Sequence, residues 1–192
     1  MPIRLQPRDV TADLQGFNSV LIISCPVCPA ASLAIDKRKP LFEFFKNGLK
    51  TQAFEDYITS IRAPLDQRGI RTDAFTMRVP HPLMCLWTEG QRRRLLKRAK
   101  DFEAVLVLGC YSAAHTAREA LKGTDCKVFQ GMQETGLANA TIKLRYPMTV
   151  ELDAHLVPNI PWAPRQEAPA AAETETQEEA LQKASIDYRH PR

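Results

Sequence analysis

The sequence predicts a three-layer α/β fold built on a mainly parallel sheet, and three observations carry that expectation. Two runs, "SVLIIS" at 19–24 and "AVLVLGC" at 104–110, are short and rich in aliphatic residues without polar alternation. That is the pattern of strands buried on both faces. Segments of helical period lie between and after them. The resulting alternation of strand and helix is the order that right-handed crossovers turn into a parallel sheet covered by helices.

Each element follows in order. Residues 1–17, "MPIRLQPRDVTADLQGF", are polar and punctuated by proline, and read as a loose lead-in. The strand at 19–24 runs into "CPVCPA", a turn, a short apolar segment and the charged break "DKRKP". From Leu41 the pattern becomes helical: Phe54, Tyr57, Ile58, Ile61 and Leu65 form one apolar stripe, with Pro64 expected to kink or break the helix and Gly69 to end it. "IRTDAFTMRVP" reads as a strand with Phe75, Met77 and Val79 on one face, stopped by Pro80.

Thr88 is a candidate N-cap for a helix whose buried stripe is Leu95, Leu96, Ala99 and Phe102. After the strand at 104–110, "SAAHTAREALKG" reads as a helix capped by Ser112 and stopped by Gly123. "CKVFQGM" is a short strand, and "QGMQETGLANAT" after it reads equally as a source of backbone N–H groups for a ligand or as an ordinary polar loop. "ATIKLRYPMTVEL" alternates apolar and polar residues, as one strand with a wet face, and Pro147 places it at a sheet edge. The folded domain is thus expected over 18–155. Residues 156–192, rich in proline, alanine and glutamate, are expected to be a disordered tail, because they offer too little apolar surface to offset their ordering entropy.

Composition sets broad limits. The 192 residues are 44% hydrophobic and 25% charged with a net charge of +4, ordinary for a soluble globular protein. There is no signal-like apolar segment at the N-terminus and no run long enough to span a membrane, so a cytoplasmic protein is expected. No GxGxxG fingerprint or Walker A lysine loop is present. In a reducing compartment the five cysteines read as metal ligands, catalytic thiols or buried apolar residues rather than as a disulfide frame.

Their positions are the main functional signal. For so short a chain the flavodoxin-like strand order is the expected one, and in such sheets ligands bind beyond the carboxyl ends of the strands. Cys25 and Cys28 follow the first strand directly; Cys85 lies in the connection after the second, with His81 just before it; Cys110 closes the third, with His115 in the helix that follows. A 2-1-3 order makes these connections neighbours on one rim. Cys126 begins the fourth strand at the opposite end and reads as structural.

Four thiolates from Cys25, Cys28, Cys85 and Cys110 match the ligand count of a [4Fe–4S] or [2Fe–2S] cluster, and equally of a tetrahedral zinc site. His81 and His115 are substitute ligands or outer donors. A single CxxC with solitary further cysteines favours a cluster over two compact zinc knuckles, and Leu83, Met84, Leu86 and Trp87 would supply an apolar shell.

A first strand ending in "CPVCP" and a later "AVLVLGC" strand end resemble the iron–sulfur small subunits of flavodoxin-like fold, as in nickel–iron hydrogenases and their respiratory complex I relative. The same phrase resembles the delta subunit that links a hydrogenase to heterodisulfide reductase. The resemblance spans 19–121 and rests on Cys25, Cys28 and Cys110. It implies an iron–sulfur redox subunit of an electron-transfer or sulfur-metabolism complex. It departs from those subunits in lacking their later glycine–cysteine–proline cysteine, for which Cys85 would have to substitute.

Three other chemistries fit the same residues. A metal-free dithiol of Cys25 and Cys28, or a persulfide carried on Cys25 or Cys110, would make a thiol redox or sulfur-carrier protein. Cys110 with His115 superficially resembles a nucleophile and its base, but five residues along one helix set the imidazole to the side. A zinc-stabilised adaptor subunit is the third. In each, the basic run Arg92, Arg93, Arg94, Lys97, Arg98 and Lys100 is a candidate docking surface for an acidic redox partner. It lacks interleaved aromatics, so nucleic acid is not expected.

Overall fold

The computed structural model describes residues 3–77 and 87–154, with the backbone of Ile160–Pro161. In chain order the elements are β1 (Ile3–Pro7), β2 (Ser19–Ser24), α1 (Cys28–Lys37), β3 (Phe42–Glu43), α2 (Phe44–Asn47), α3 (Gln52–Gln67), β4 (Arg71–Thr76), α4 (Glu89–Ala99), β5 (Ala104–Leu108), α5 (Tyr111–Ala120), β6 (Lys127–Gln130), β7 (Met132–Leu137), β8 (Thr141–Arg145), β9 (Thr149–Asp153) and β10 (Ile160–Pro161).

The centre is a four-stranded, all-parallel sheet of order β4-β2-β5-β6. Every residue of β2 and of β5 is buried, as their unbroken apolar sequence requires. The chain moves from β2 to β4 on one side, then back past β2 to β5 and on to β6. Right-handed crossovers therefore put α1 and α3 on one face and α4 and α5 on the other, and the helices do pack in those two pairs. The core consists of Leu21, Ile22, Ile23, Leu106 and Leu108 with Leu33, Leu95 and Met77 packed over them, all nearly inaccessible to solvent.

Local chemistry explains the helix ends. Thr88 caps α4 through a reciprocal box: its hydroxyl accepts from the Gln91 N–H, and the Gln91 side chain accepts from the Thr88 N–H at 2.7 Å. Pro64 does not break α3, which continues to Gln67. It lies in the last turn and forgoes one helical bond there, and buried Leu65 packs that turn against the core. The cap of α5 is Cys110 rather than Ser112, because the chain turns directly out of β5 at Gly109.

Two small antiparallel sheets flank the centre, and both differ from the sequence reading. Residues 1–17, expected to be a loose lead-in, contain β1, which pairs with β7. Leu5 is fully buried there and its N–H donates to the Ser32 hydroxyl of α1 at 2.9 Å. One or two inward side chains anchored by a neighbouring helix are too few to show as periodicity. The stretch expected as a polar loop after the fourth strand is β7, and β10, inside the expected tail, also pairs with it. Residues 162–192 lie outside the described residues.

The second small sheet has the order β3-β9-β8. The single strand expected across 141–152 is instead the hairpin β8–β9, turning at Tyr146–Met148, with Pro147 unable to donate to a ladder and Met148 at φ 73°. The expected alternation survives the turn, because Ile142 pairs opposite Leu152 and Leu144 opposite Val150 on one face.

Candidate functional site: a cysteine rim on the parallel sheet

The carboxyl ends of β2 and β5 meet at one place. In register Ser24 stands opposite Leu108, and the ladder continues one residue further, where the Cys25 N–H donates to the Leu108 carbonyl at 3.0 Å. That bond seats Cys25 beside Gly109: a Cβ built on Gly109 would lie 3.4 Å from the Cys25 Cβ and 3.0 Å from that of Ala113. A side chain at 109 would therefore crowd the first turn of α5, and glycine lets the end of β5, the turn after β2 and α5 approach closely.

The three thiols described here therefore sit on one rim. Cys25 is half-buried in the turn, Cys28 is the first residue of α1 and half-buried, and Cys110 caps α5 and is buried. Pro26 and Pro29 bracket Cys28, and Pro29 in the first turn of α1 has a missing N–H that a helix start tolerates. The adjoining edge is polar and satisfied: buried Ser24 donates its hydroxyl to Thr76 at 2.9 Å, and Met77, just past β4, donates its N–H to the Ser24 carbonyl.

The two helix starts are not electrostatically alike. At α5 the Glu134 carboxylate, from β7, accepts the Tyr111 N–H at 2.5 Å, so a negative charge already occupies that N-terminus next to Cys110. At α1 the cap residue is Val27, which offers no polar side chain, and the first turn holds no acidic residue.

The remaining sequence candidates fall in different places. His115 is exposed on α5 with its ring against Tyr111, centroids 6.2 Å apart. Cys126 precedes β6 at the opposite end of the sheet, and partial burial pushes its thiol pKa up. Cys85 and His81, with Leu83, Met84 and Leu86, lie outside the described residues. Trp87 is packed against the core. On α4, Arg98 pairs with Asp73 at 3.1 Å and stacks over Phe75, Arg93 pairs with Glu89, and Arg94 and Lys97 are exposed.

Among the described residues, no group of three or more His, Cys, Asp or Glu side chains is placed to hold a metal ion. Cys25, Cys28 and Cys110 share a rim without forming a ligand set by themselves. Sequence reasoning missed Gly109 and Glu134. The glycine was visible in "VLGC" as the residue between strand and cysteine, whereas nothing local to "QETG" marks Glu134 as the group that reaches α5. Also among the described residues, no helix is long and apolar enough to cross a membrane. Compared with known proteins, the chain matches no family model, no curated protein and no solved structure.

Proposed function

We propose that this chain is a cytoplasmic thiol redox protein, a small subunit or carrier in electron transfer or sulfur metabolism, whose working pair is Cys25 and Cys28. The observation that carries the reading is the meeting of the β2 and β5 ends at Gly109, which gathers Cys25, Cys28 and Cys110 at two helix N-termini. The 2-1-3 order of the parallel strands supports a flavodoxin-like reading of the domain, in which this rim is the ligand-binding side.

The chemistry is thiol–disulfide exchange. A thiolate at Cys28 attacks one sulfur of a partner's disulfide, breaking the S–S bond and releasing the other partner sulfur as thiolate. Cys25, losing its proton, then attacks the mixed disulfide, leaving Cys25–Cys28 oxidised and the partner reduced by two electrons and two protons. The opposite direction uses the same atoms. The exposed Arg94 and Lys97 on α4 would favour docking of an acidic partner.

A second reading keeps the same rim. Thiolates are suitable donors for a [4Fe–4S] cluster or zinc, and the resemblance of "CPVCP" and "AVLVLGC" to iron–sulfur small subunits favours the cluster. It requires Cys85 as the fourth ligand, since the described residues do not complete the set. Purification without oxygen, with a visible spectrum and assays of iron, zinc and acid-labile sulfide, separates the readings. A colourless, metal-free protein supports the dithiol. Broad absorbance with stoichiometric iron and sulfide, lost in Cys110→Ser, overturns it in favour of the cluster, and zinc alone would make the rim part of a structural adaptor.

A further inference from the structure

We propose that the cleft between α3 and the chain that follows β1 binds a small zwitterion with an apolar body, the chemistry of a free apolar amino acid. The cleft has a volume of about 270 Å³, below the roughly 300–1,000 Å³ of sites for drug-sized ligands, so its occupant is small. No cysteine lines it, and its ligand is independent of the thiol chemistry of the rim. Its base is apolar, formed by buried Val10, Leu14 and Leu65 with Ile61 beside them.

The walls carry opposite charges that do not meet. On the segment after β1, the Asp9 carboxylate accepts the Thr11 N–H at 2.9 Å; on the other side, Arg68 ends α3. Among the described residues neither forms an ion pair, although both line the same cleft. The third charged residue there, Arg8, is already matched by Asp13 at 2.7 Å. A carboxylate and a guanidinium that line one space without pairing suit a ligand with an ammonium at one end and a carboxylate at the other. The guanidinium fork takes a carboxylate through two parallel bonds, which selects it over a neutral group. The α3 wall adds acceptors for the ammonium. The Ser60 hydroxyl donates to the Tyr57 carbonyl at 2.8 Å and so offers only lone pairs to a ligand. Pro64 has no N–H for the Ser60 carbonyl four residues before it, and both residues line the cleft.

Isothermal titration of the full chain with leucine tests this, alongside leucinamide, which lacks the carboxylate, and 4-methylpentanoate, which lacks the amine. Asp9→Asn and Arg68→Gln are the variants. Both positions are exposed, and asparagine keeps an oxygen for the Thr11 N–H, so the thermal midpoint should not move. Leucine should bind the wild type, with each analogue at least tenfold weaker and each variant weakening leucine at least tenfold. A cycle assigns the two ends: Arg68→Gln should no longer distinguish leucine from leucinamide, nor Asp9→Asn leucine from 4-methylpentanoate. No binding of leucine, or of alanine, valine or phenylalanine in its place, overturns the proposal. So does leucine binding that neither variant weakens, which places the site elsewhere. Equal affinity for leucine and either analogue also overturns it, because one charged end is then not read.

Discussion

The Cys25 N–H, one residue beyond the end of β2, donates to the carbonyl of Leu108, the last residue of β5, at 3.0 Å. This bond makes the cysteine turn an extension of the parallel sheet rather than a free loop, and brings Cys25 against Gly109. The position of the proposed redox pair is therefore set by the most buried part of the molecule.

Gly109→Val tests that dependence. A side chain at 109 meets Ala113 at 3.0 Å and Cys25 at 3.4 Å, so either α5 or the cysteine turn must shift. Overpacking of this kind costs about 1–3 kcal/mol, read as a lower urea midpoint at unchanged slope. The rate at which Cys25 exchanges with a small aromatic disulfide should change with it, whereas the exposed Ser112→Ala should leave both alone.

The capping box of α4 gives an independent check on the fold. Thr88→Ala removes the acceptor for the Gln91 N–H and should lower stability by about 1 kcal/mol, with Thr88→Ser restoring most of it. Denaturant titration of the three proteins measures the difference.

Tyr57 predicts an alkaline limit. Burial holds its phenol up at about 12, against an ordinary value of 10.0, and its hydroxyl donates a long bond to the Gly131 carbonyl. The unfolded chain releases this proton first, so stability is unaffected below pH 10 and falls as pH rises from 10 through 12. Tyr57→Phe should flatten that decline. Phenolate absorbance should show a late-titrating tyrosine in the native protein that is lost in Tyr57→Phe.

Cys126 is expected to be a bystander. It lies at the end of the sheet opposite the rim, and burial raises its thiol pKa. Cys126→Ala should leave the redox midpoint of the rim within error, while Cys28→Ser should abolish two-electron oxidation without unfolding the protein. Electrochemical titration against glutathione separates the two.

The central sheet was legible in the sequence because β2 and β5 are buried on both faces and carry no polar residue in their middle. The Thr88 cap was legible because its partners lie within one turn. β1 and β7 were not, since their burial comes from non-local neighbours: Leu5 is buried and tied by its backbone to Ser32 of α1, and the polar side chains of β7 hide its strand period. The hairpin was read as one strand because alternation persists through its turn, where residues 144 and 150 keep the same parity. At the site, strand order alone put Cys25, Cys28 and Cys110 at adjoining strand ends, while Cys85 lies outside the described residues. Glu134 could not be placed, because its contact with Tyr111 joins a strand of a flanking sheet to the start of α5, 23 residues away in sequence.

The most direct test of the proposed function is disulfide mapping after equilibration of the native protein with oxidised and reduced glutathione. A Cys25–Cys28 disulfide, with a midpoint inside the span of about −120 to −270 mV covered by known dithiol carriers, is the predicted result. Cys25 and Cys28 remaining as separate thiols throughout that range would contradict it.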